Sequence, residues 1–423
     1  MKVHCAPRDS WNAVKADLNV LLFDVPDDEL QGSIGHSLLQ TIERMQLAPA
    51  PRAWDLLSIA LGVVAADHAC LRGASPDGWT REIELSVAVS DPKFWAGQTS
   101  GLESILRFLT GDIWQVSFTE GGISPKPPKH AKPRDETMAC LLSGGLDSLV
   151  GAIDLSAQGE SPLLVSQVSQ GDKEHQSYFA QQVCGDGHHL QLNHIVKTPG
   201  ESETSQRPRS FVFLAYGVLA ATGLKSYSPS GSVTLVIPEN GFISLNIPLT
   251  PLRLGSLSTR TTHPAFIAGF QAVLDAAGLR VKLSNPYQFK TKGEMLSGCK
   301  NQKLLQKLAG SSTSCGRYAR SGFMHCGRCV PCLIRRAAFH RWNSGDTTDY
   351  KYKDLSRHGP KHRGFDDVRA AVMAIEYVRR SGIARWSASA LNSAQLGNIS
   401  GYQHVAGRGL EELKAFLTAA KVQ

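Results

Sequence analysis

Long apolar runs are missing from this 423-residue chain. It holds no stretch of 18 apolar residues, which excludes a membrane-spanning helix, and its first residues lack the apolar centre of a secretion signal. The expectation is a soluble, cytoplasmic protein with no membrane partner. Two familiar phosphate-binding patterns are also missing. Without G-x-x-x-x-G-K-[ST] the chain is not read as a nucleoside-triphosphatase of the P-loop kind, and without G-x-G-x-x-G it is not read as a dinucleotide binder. Where positive charge is densest the aromatics form no obvious stacking platform. Tyr318, Trp342, Tyr350 and Tyr352 are unevenly spaced among the basic residues of 315–363, which argues against a base-stacking platform, so nucleic acid is expected to bind only weakly.

What is present is uneven in charge and in cysteine. The net charge is +8, and residues 315–363 alone carry eleven Lys and Arg, among them Arg317, Arg328, Arg335, Arg336, Lys351, Lys353 and Lys361, against Asp346, Asp349 and Asp354. Such a segment suits nucleic acid, an acidic partner protein or a phosphate-bearing ligand, and equally a solvated face. Four of the nine cysteines cluster within it at metal-like spacing, so a reducing compartment is the better reading than a disulfide framework.

The pattern along the chain predicts five regions. Residues 1–120 read as a separate α+β extension, with helical periodicity in SLLQTIERMQL and WDLLSIALGVVAADHACL and strand alternation at Ile83, Leu85, Val87 and Val89. Residues 121–136, with four prolines and four basic residues, read as an extended linker. From 137 to 300, strands at 137–142, 162–168, 190–197, 233–239 and 281–287 alternate with helices at 146–158, 174–184, 209–224 and 264–277. That alternation implies right-handed crossovers and a doubly wound parallel α/β sheet, with the ligand beyond the carboxyl ends of the strands. Residues 301–345 form a candidate zinc lobe, and 346–423 a basic, helical C-terminal region.

The first strand and helix of that sheet are joined by Ser143-Gly144-Gly145-Leu146-Asp147-Ser148. Glycines let the backbone turn sharply there, and the following helix aims unpaired N–H groups and its positive dipole end at the turn, which makes an anion nest. A plain glycine turn with a capping serine is the alternative. The six residues resemble the S-G-G-x-D-S signature of the ATP-pyrophosphatase (PP-loop, adenine nucleotide alpha hydrolase-like) superfamily. The resemblance implies that Leu142 to Ser148 cradle the β and γ phosphates of ATP while the α phosphate is attacked, with Ser143 and Ser148 donating hydroxyl hydrogen bonds and Asp147 holding Mg²⁺.

Cys315, Cys326, Cys329 and Cys332 stand in a C-x10-C-x2-C-x2-C arrangement. Two tight pairs of thiolates suit a closed, structural, tetrahedral Zn²⁺ site. An iron–sulfur cluster and four unligated thiols are the alternatives, and His325 is a less well-spaced substitute ligand.

A PP-loop followed by CGRCVPCLIRRAAF resembles the 7-cyano-7-deazaguanine synthase (QueC) family over residues 137–341. PYQFKTKGEML resembles that family's apolar stretch before a Lys and a Glu, which puts Lys292 and Glu294 near the active site, with Lys292 complementing phosphate charge. The chain departs from the family where P-G-R-N becomes Arg207-Pro208-Arg209-Ser210, and where the substrate loop becomes PENGFISLNIPL and STRTTHP. Those segments resemble the QueC-like proteins of bacterial anti-phage operons, Qat type included. The resemblance implies an ATP-dependent carbon–nitrogen ligase: a deazaguanine-type carboxylate attacks the α phosphate, and the acyl group passes to ammonia or to an amine of an operon partner protein. Candidate substrate residues are Arg209, Glu239, Asn240, Arg260, Thr262 and His263; Asn240-Gly241 as a mere turn and Thr262 as a mere helix cap are the plainer readings. A tRNA-modifying PP-loop enzyme and a nucleotide-binding scaffold are the competing functions.

Overall fold

The computed structural model describes the chain except residues 12–13, 29–30, 128–133, 169–170, 205–206, 251–259, 357–365, 395 and 423. Two parallel sheets carry the architecture. The first is built from β1 (Lys2–Ala6), β2 (Leu18–Leu22), β3 (Gly32–Ile34), β4 (Glu82–Ala88) and β5 (Ile113–Thr119), the second from β6 (Met138–Leu141), β7 (Pro162–Gln167), β8 (His189–Leu192), β10 (Val233–Val236) and β11 (Val281–Ser284). A two-residue strand, β9 (Val196–Lys197), leaves the second unit and pairs antiparallel with β3. Strand orders are β5-β4-β1-β2-β3-β9 and β11-β10-β6-β7-β8.

Two helices explain why the sheets are not separate. Pro51–Ala69 and Arg209–Thr222 are apolar almost all round, a composition that only full burial tolerates. Pro51–Ala69 packs on β2 and β4, Arg209–Thr222 packs on β6, β7 and β10, and the two helices pack on each other. Val87, Leu57, Leu219 and Leu235 therefore belong to one apolar core that spans both sheets, and each such side chain contributes about 1.5–3 kcal/mol by leaving water.

This corrects the expectation for the N-terminal residues. They form a parallel α/β layer, not an α+β unit, and its core is continuous with the second sheet. The strands of WDLLSI's neighbours, KVHCA and LNVLL, are nearly continuous apolar runs because both faces are covered, so they lack the alternation that marks a half-buried strand. The mouth of this first sheet is not open to a ligand at its centre. The start of the linker crosses it, with Ser10 Oγ donating to Gly121 O (2.9 Å) and Gly122 N to Val89 O (3.1 Å). Residues 128–133 of the linker lie outside the described residues.

On its other face the second sheet carries the helices Leu146–Ala157 and Lys173–Cys184. Beyond β11 the chain forms a short helix, Lys292–Ser297, then the cysteine lobe, whose helix Val330–Trp342 packs on Lys292–Ser297. The C-terminal helices Asp366–Ser381, Ile383–Leu391 and Ile399–Ala419 bury their apolar faces against Phe242, Leu245 and Leu333. No described helix is long and apolar enough to cross a membrane.

Candidate active site

At the carboxyl end of β6 the chain turns through Ser143 to Gly145 into the helix Leu146–Ala157. Gly144 has φ +87°, a conformation that a side chain would strain. No side chain caps this helix, so the first-turn N–H groups face the turn unclaimed. The two serines brace the turn from inside. Ser148 Oγ accepts from Ser143 N (3.2 Å), donates to Gly145 O (3.0 Å) and lies 3.1 Å from Ser143 Oγ, while Ser143 Oγ accepts from Gly145 N (3.2 Å). Two further residues, unnoticed in the sequence, fix the loop from outside: Gln176 Nε2 donates to Ser143 O (3.1 Å) and Thr313 N to Gly144 O (2.9 Å). Gln176 is buried on the helix Lys173–Cys184, and Thr313 leads into the cysteine lobe, so loop and lobe are joined directly.

Asp147 is the second residue of the helix, within its first turn. Reading the motif as an exposed turn suggests an exposed carboxylate, but Asp147 is only 5% accessible. Its Oδ1 is ion-paired with Lys292, and its Oδ2 accepts from Asn240 Nδ2 (2.6 Å) and Asn240 N (3.2 Å). Burial opposes ionisation of Asp147, but Lys292, a hydrogen bond from Glu239 and Asn240 outweigh it and hold the carboxyl at about 2. Glu239 takes the opposite course. Burial and then the charge of Asp147 push its pKa well above the usual carboxylate range, so a protonated Glu239 faces an ionised Asp147. Ser143, Ser148, Asp147, Lys292, Glu239 and Asn240 thus converge on one spot at the ends of β6 and β10.

The other candidates are engaged elsewhere. Arg209 opens the helix Arg209–Thr222 beside a small recess with His68 and His194; burial lowers its basicity and the charge of Asp172 raises it. Arg260 lies over the Phe108 ring (4.5 Å) and donates to Phe108 O (3.3 Å). His263 is the N-cap of Pro264–Ala276, accepting from Ala265 N through Nδ1 (3.2 Å) and donating from Nε2 to Ala390 O (2.9 Å); burial lowers its pKa to about 4, so it is a neutral structural cap. Thr262 lies in the turn ahead of it, and among the described residues the contacts of Arg260 and His263 run to Phe108, Ala265 and Ala390 rather than to the loop. Ser258 and Thr259 of the same segment lie outside the described residues. Glu294 faces away from Asp147 and binds Arg408 Nε (2.7 Å). One turn beyond Asn240 a cavity of about 750 Å³ opens, lined by Phe242, Asn246, Ile247, Arg317, Arg328 and Asp367.

The four cysteine sulfurs lie within 4.8 Å of one another, with Cys315–Cys329 at 3.8 Å and Cys326–Cys332 at 3.9 Å. A tetrahedron of sulfurs around one ion at about 2.3 Å has edges of about 3.8 Å. An iron–sulfur cluster spreads its four thiolates over two or more irons and would hold at least some of them farther apart, so the geometry fits a single ion such as Zn²⁺. Backbone N–H groups of Arg317, Cys326 and Cys329 donate to the sulfurs of Cys315, Cys315 and Cys326 at 3.3 Å, as second-sphere support for thiolate charge. His325 is not a ligand: its Nε2 accepts from Ser314 N (3.1 Å).

The basic segment is less available than its charge suggests. Arg335 is fully buried, donating to Ser312 Oγ (2.8 Å), Ala309 O (2.7 Å) and Thr348 Oγ1 (2.9 Å). Arg336 donates to the carbonyls of Gly327, Tyr352 and Lys353. Neither is free to hold triphosphate or an acidic partner, contrary to the sequence reading. Lys361 lies outside the described residues.

The chain is 32% identical over 99 residues to the 7-cyano-7-deazaguanine synthase of Paracoccus denitrificans, covering 22% of this chain and 40% of that protein. It is also 32% identical over 110 residues to the 7-cyano-7-deazaguanine synthase of Rhizobium etli, covering 25% and 44%. The chain thus spans less than half the length of these curated relatives. No family model matches it, and no solved structure matches it. Parallel α/β sheets, a buried four-cysteine cluster and these partial likenesses together support a QueC-like relationship.

Proposed function

We propose that the protein is an ATP-dependent, QueC-like ligase that adenylates a carboxylate and passes the acyl group to an amine. The observation that carries this reading is the buried Asp147–Lys292 pair set against the uncapped Ser143–Ser148 loop. The loop N–H groups and the serine hydroxyls suit the β and γ phosphates. Asp147, an ionised oxygen ligand, is suited to hold Mg²⁺, which would supply neutralising charge to the leaving pyrophosphate. Lys292, paired with Asp147 here, would be the cation left to complement phosphate charge once Asp147 engages the metal.

In the first half-reaction a carboxylate oxygen of a 7-carboxy-7-deazaguanine-like acid bonds to the α phosphorus, the bond to the bridging oxygen breaks, and pyrophosphate leaves. In the second, an amine nitrogen bonds to the acyl carbon, AMP leaves and the nitrogen loses a proton, which gives an amide. The cavity beside Phe242, Asn246, Arg317 and Asp367 is the proposed seat of the acid. It combines an apolar floor with the Arg317–Asp367 ion pair (3.6 Å), whose guanidinium suits a carboxylate and whose carboxylate suits the N–H edge of an aminopyrimidinone ring. The acceptor is ammonia or a protein amine. A setting in anti-phage defence rests on the resemblance of PENGFISLNIPL and STRTTHP.

The test is exchange of labelled pyrophosphate into ATP. Exchange that depends on the deazaguanine acid supports adenylate formation, and exchange equally fast without the acid contradicts it.

A further inference from the structure

We infer that Glu412, on the last helix of the chain, is a positioning residue for Lys292. The inference rests on reading Lys292 as the active-site cation. Lys292 is the first residue of the helix Lys292–Ser297, a helix of only six residues that cannot hold its own first turn rigidly. Its amino group reaches Asp147, while its two neighbours in sequence are held by one carboxylate from the opposite side. Glu412 accepts from the Thr291 hydroxyl and, through Oε2, from Gly293 N (3.3 Å).

Glu412 is itself anchored. It is 7% accessible, and Arg341 Nη1 of the helix Val330–Trp342 lies 3.1 Å from its Oε1. A second tie runs in parallel: Thr291 and Glu294 form a capping box, and Glu294 binds Arg408, one helical turn before Glu412. The fit leaves no room for a side chain at position 293, where a Cβ would lie 2.6 Å from Arg341 Cδ and 2.8 Å from Glu412 Oε1. The helix Ile399–Ala419 therefore grips the chain on both sides of Lys292, by the Thr291 hydroxyl and the Gly293 N–H, so the amino group is aimed from behind by a segment far along the chain. A long, flexible lysine needs such a grip, because misplacing a catalytic group by about 1 Å costs up to a hundredfold in rate.

The test compares Glu412→Ala, Glu412→Gln and Lys292→Ala for pyrophosphate release from ATP and 7-carboxy-7-deazaguanine. Glu412→Ala is expected to lower kcat about tenfold to a hundredfold while KM for ATP stays within about threefold, because the grip acts on the cation and not on the loop. Glu412→Gln, which keeps an acceptor for Thr291, is expected to recover most of kcat; a general loss of folding would not separate kcat from KM or be rescued in this way. If Lys292→Ala abolishes release and Glu412→Ala leaves kcat unchanged, the positioning role is overturned while the function stands. If Lys292→Ala itself releases pyrophosphate at the normal rate, Lys292 is not the active-site cation and the positioning role falls with it, whereas a parent protein that releases no pyrophosphate in response to the acid overturns the function. Should Glu412→Ala fail to fold, hydrogen exchange of residues 290–298 in a Glu412→Asp protein, whose carboxylate is too short to reach both Thr291 and Gly293, carries the test, with faster exchange than in the parent expected and equal rates overturning the role.

Discussion

Asp147 and Lys292, 145 positions apart, form a buried ion pair at the carboxyl end of β6. Neither is stable there alone, since a lone buried charge is costly. Asp147→Ala is therefore predicted to destabilise the fold by about 3–5 kcal/mol as well as to abolish pyrophosphate release. Asp147→Asn, which preserves shape, should lose release with a smaller drop in melting temperature. Chemical denaturation of both variants separates the two effects; an Asp147→Ala protein as stable as the parent would contradict the buried pair.

The same pair sets a pH dependence. Asp147 titrates at about 2 in the fold and near 4 in the unfolded chain, so its contribution, about 2 kcal/mol, is fully present above pH 4 and is lost as pH falls toward 2. Glu239 runs the other way: its raised pKa means the fold holds a proton that the unfolded chain releases, so stability declines as pH rises above about 4.5. Glu239→Gln keeps a neutral side chain and should flatten that decline in metal-free protein. Melting temperatures across pH 5 to 8 check this, and an unchanged slope would show that Glu239 is ionised in the fold.

The sulfur spacing predicts about one zinc per chain. Its removal by a chelator should unfold the lobe, since structural zinc contributes on the order of 10 kcal/mol in small sites, and should also disturb the loop through Thr313. Elemental analysis with a visible spectrum is the check; iron with a charge-transfer band would replace zinc.

Arg335 is satisfied by three hydroxyls and a carbonyl in a fixed fork. Arg335→Lys cannot reproduce it and should cost about 2 kcal/mol or more in denaturant unfolding. With Arg335 and Arg336 turned inward, binding to tRNA should be loose and only mildly salt-dependent. A loss of affinity of a thousandfold between low and moderate salt would instead reveal an RNA track.

Much of the second sheet was legible in the sequence, because strand, glycine turn and helix alternate there with clear periodicity. The strand Met138–Leu141, the helix Leu146–Ala157 and the helix Arg209–Thr222 fall within a few residues of where the pattern puts them. The loop and the cysteine set are local in sequence and could be read as spacing. What could not be read depends on long-range packing. Nothing near Asp147 announces that Lys292 and Asn240 bury it, nothing near Arg335 distinguishes it from a surface cation, and nothing near His263 announces that its Nε2 donates a hydrogen bond to Ala390 O. Thr313, Gln176 and Glu412 carry no motif, and only the fold brings them to the site.

The most direct test of the central claim is the identity of the nucleotide products. Purified protein incubated with ATP, Mg²⁺, 7-carboxy-7-deazaguanine and ammonia should yield AMP and pyrophosphate in equal amounts, dependent on the acid and absent in Asp147→Asn. Formation of ADP and phosphate instead, or AMP formation indifferent to the acid, would contradict attack on the α phosphate by a bound carboxylate.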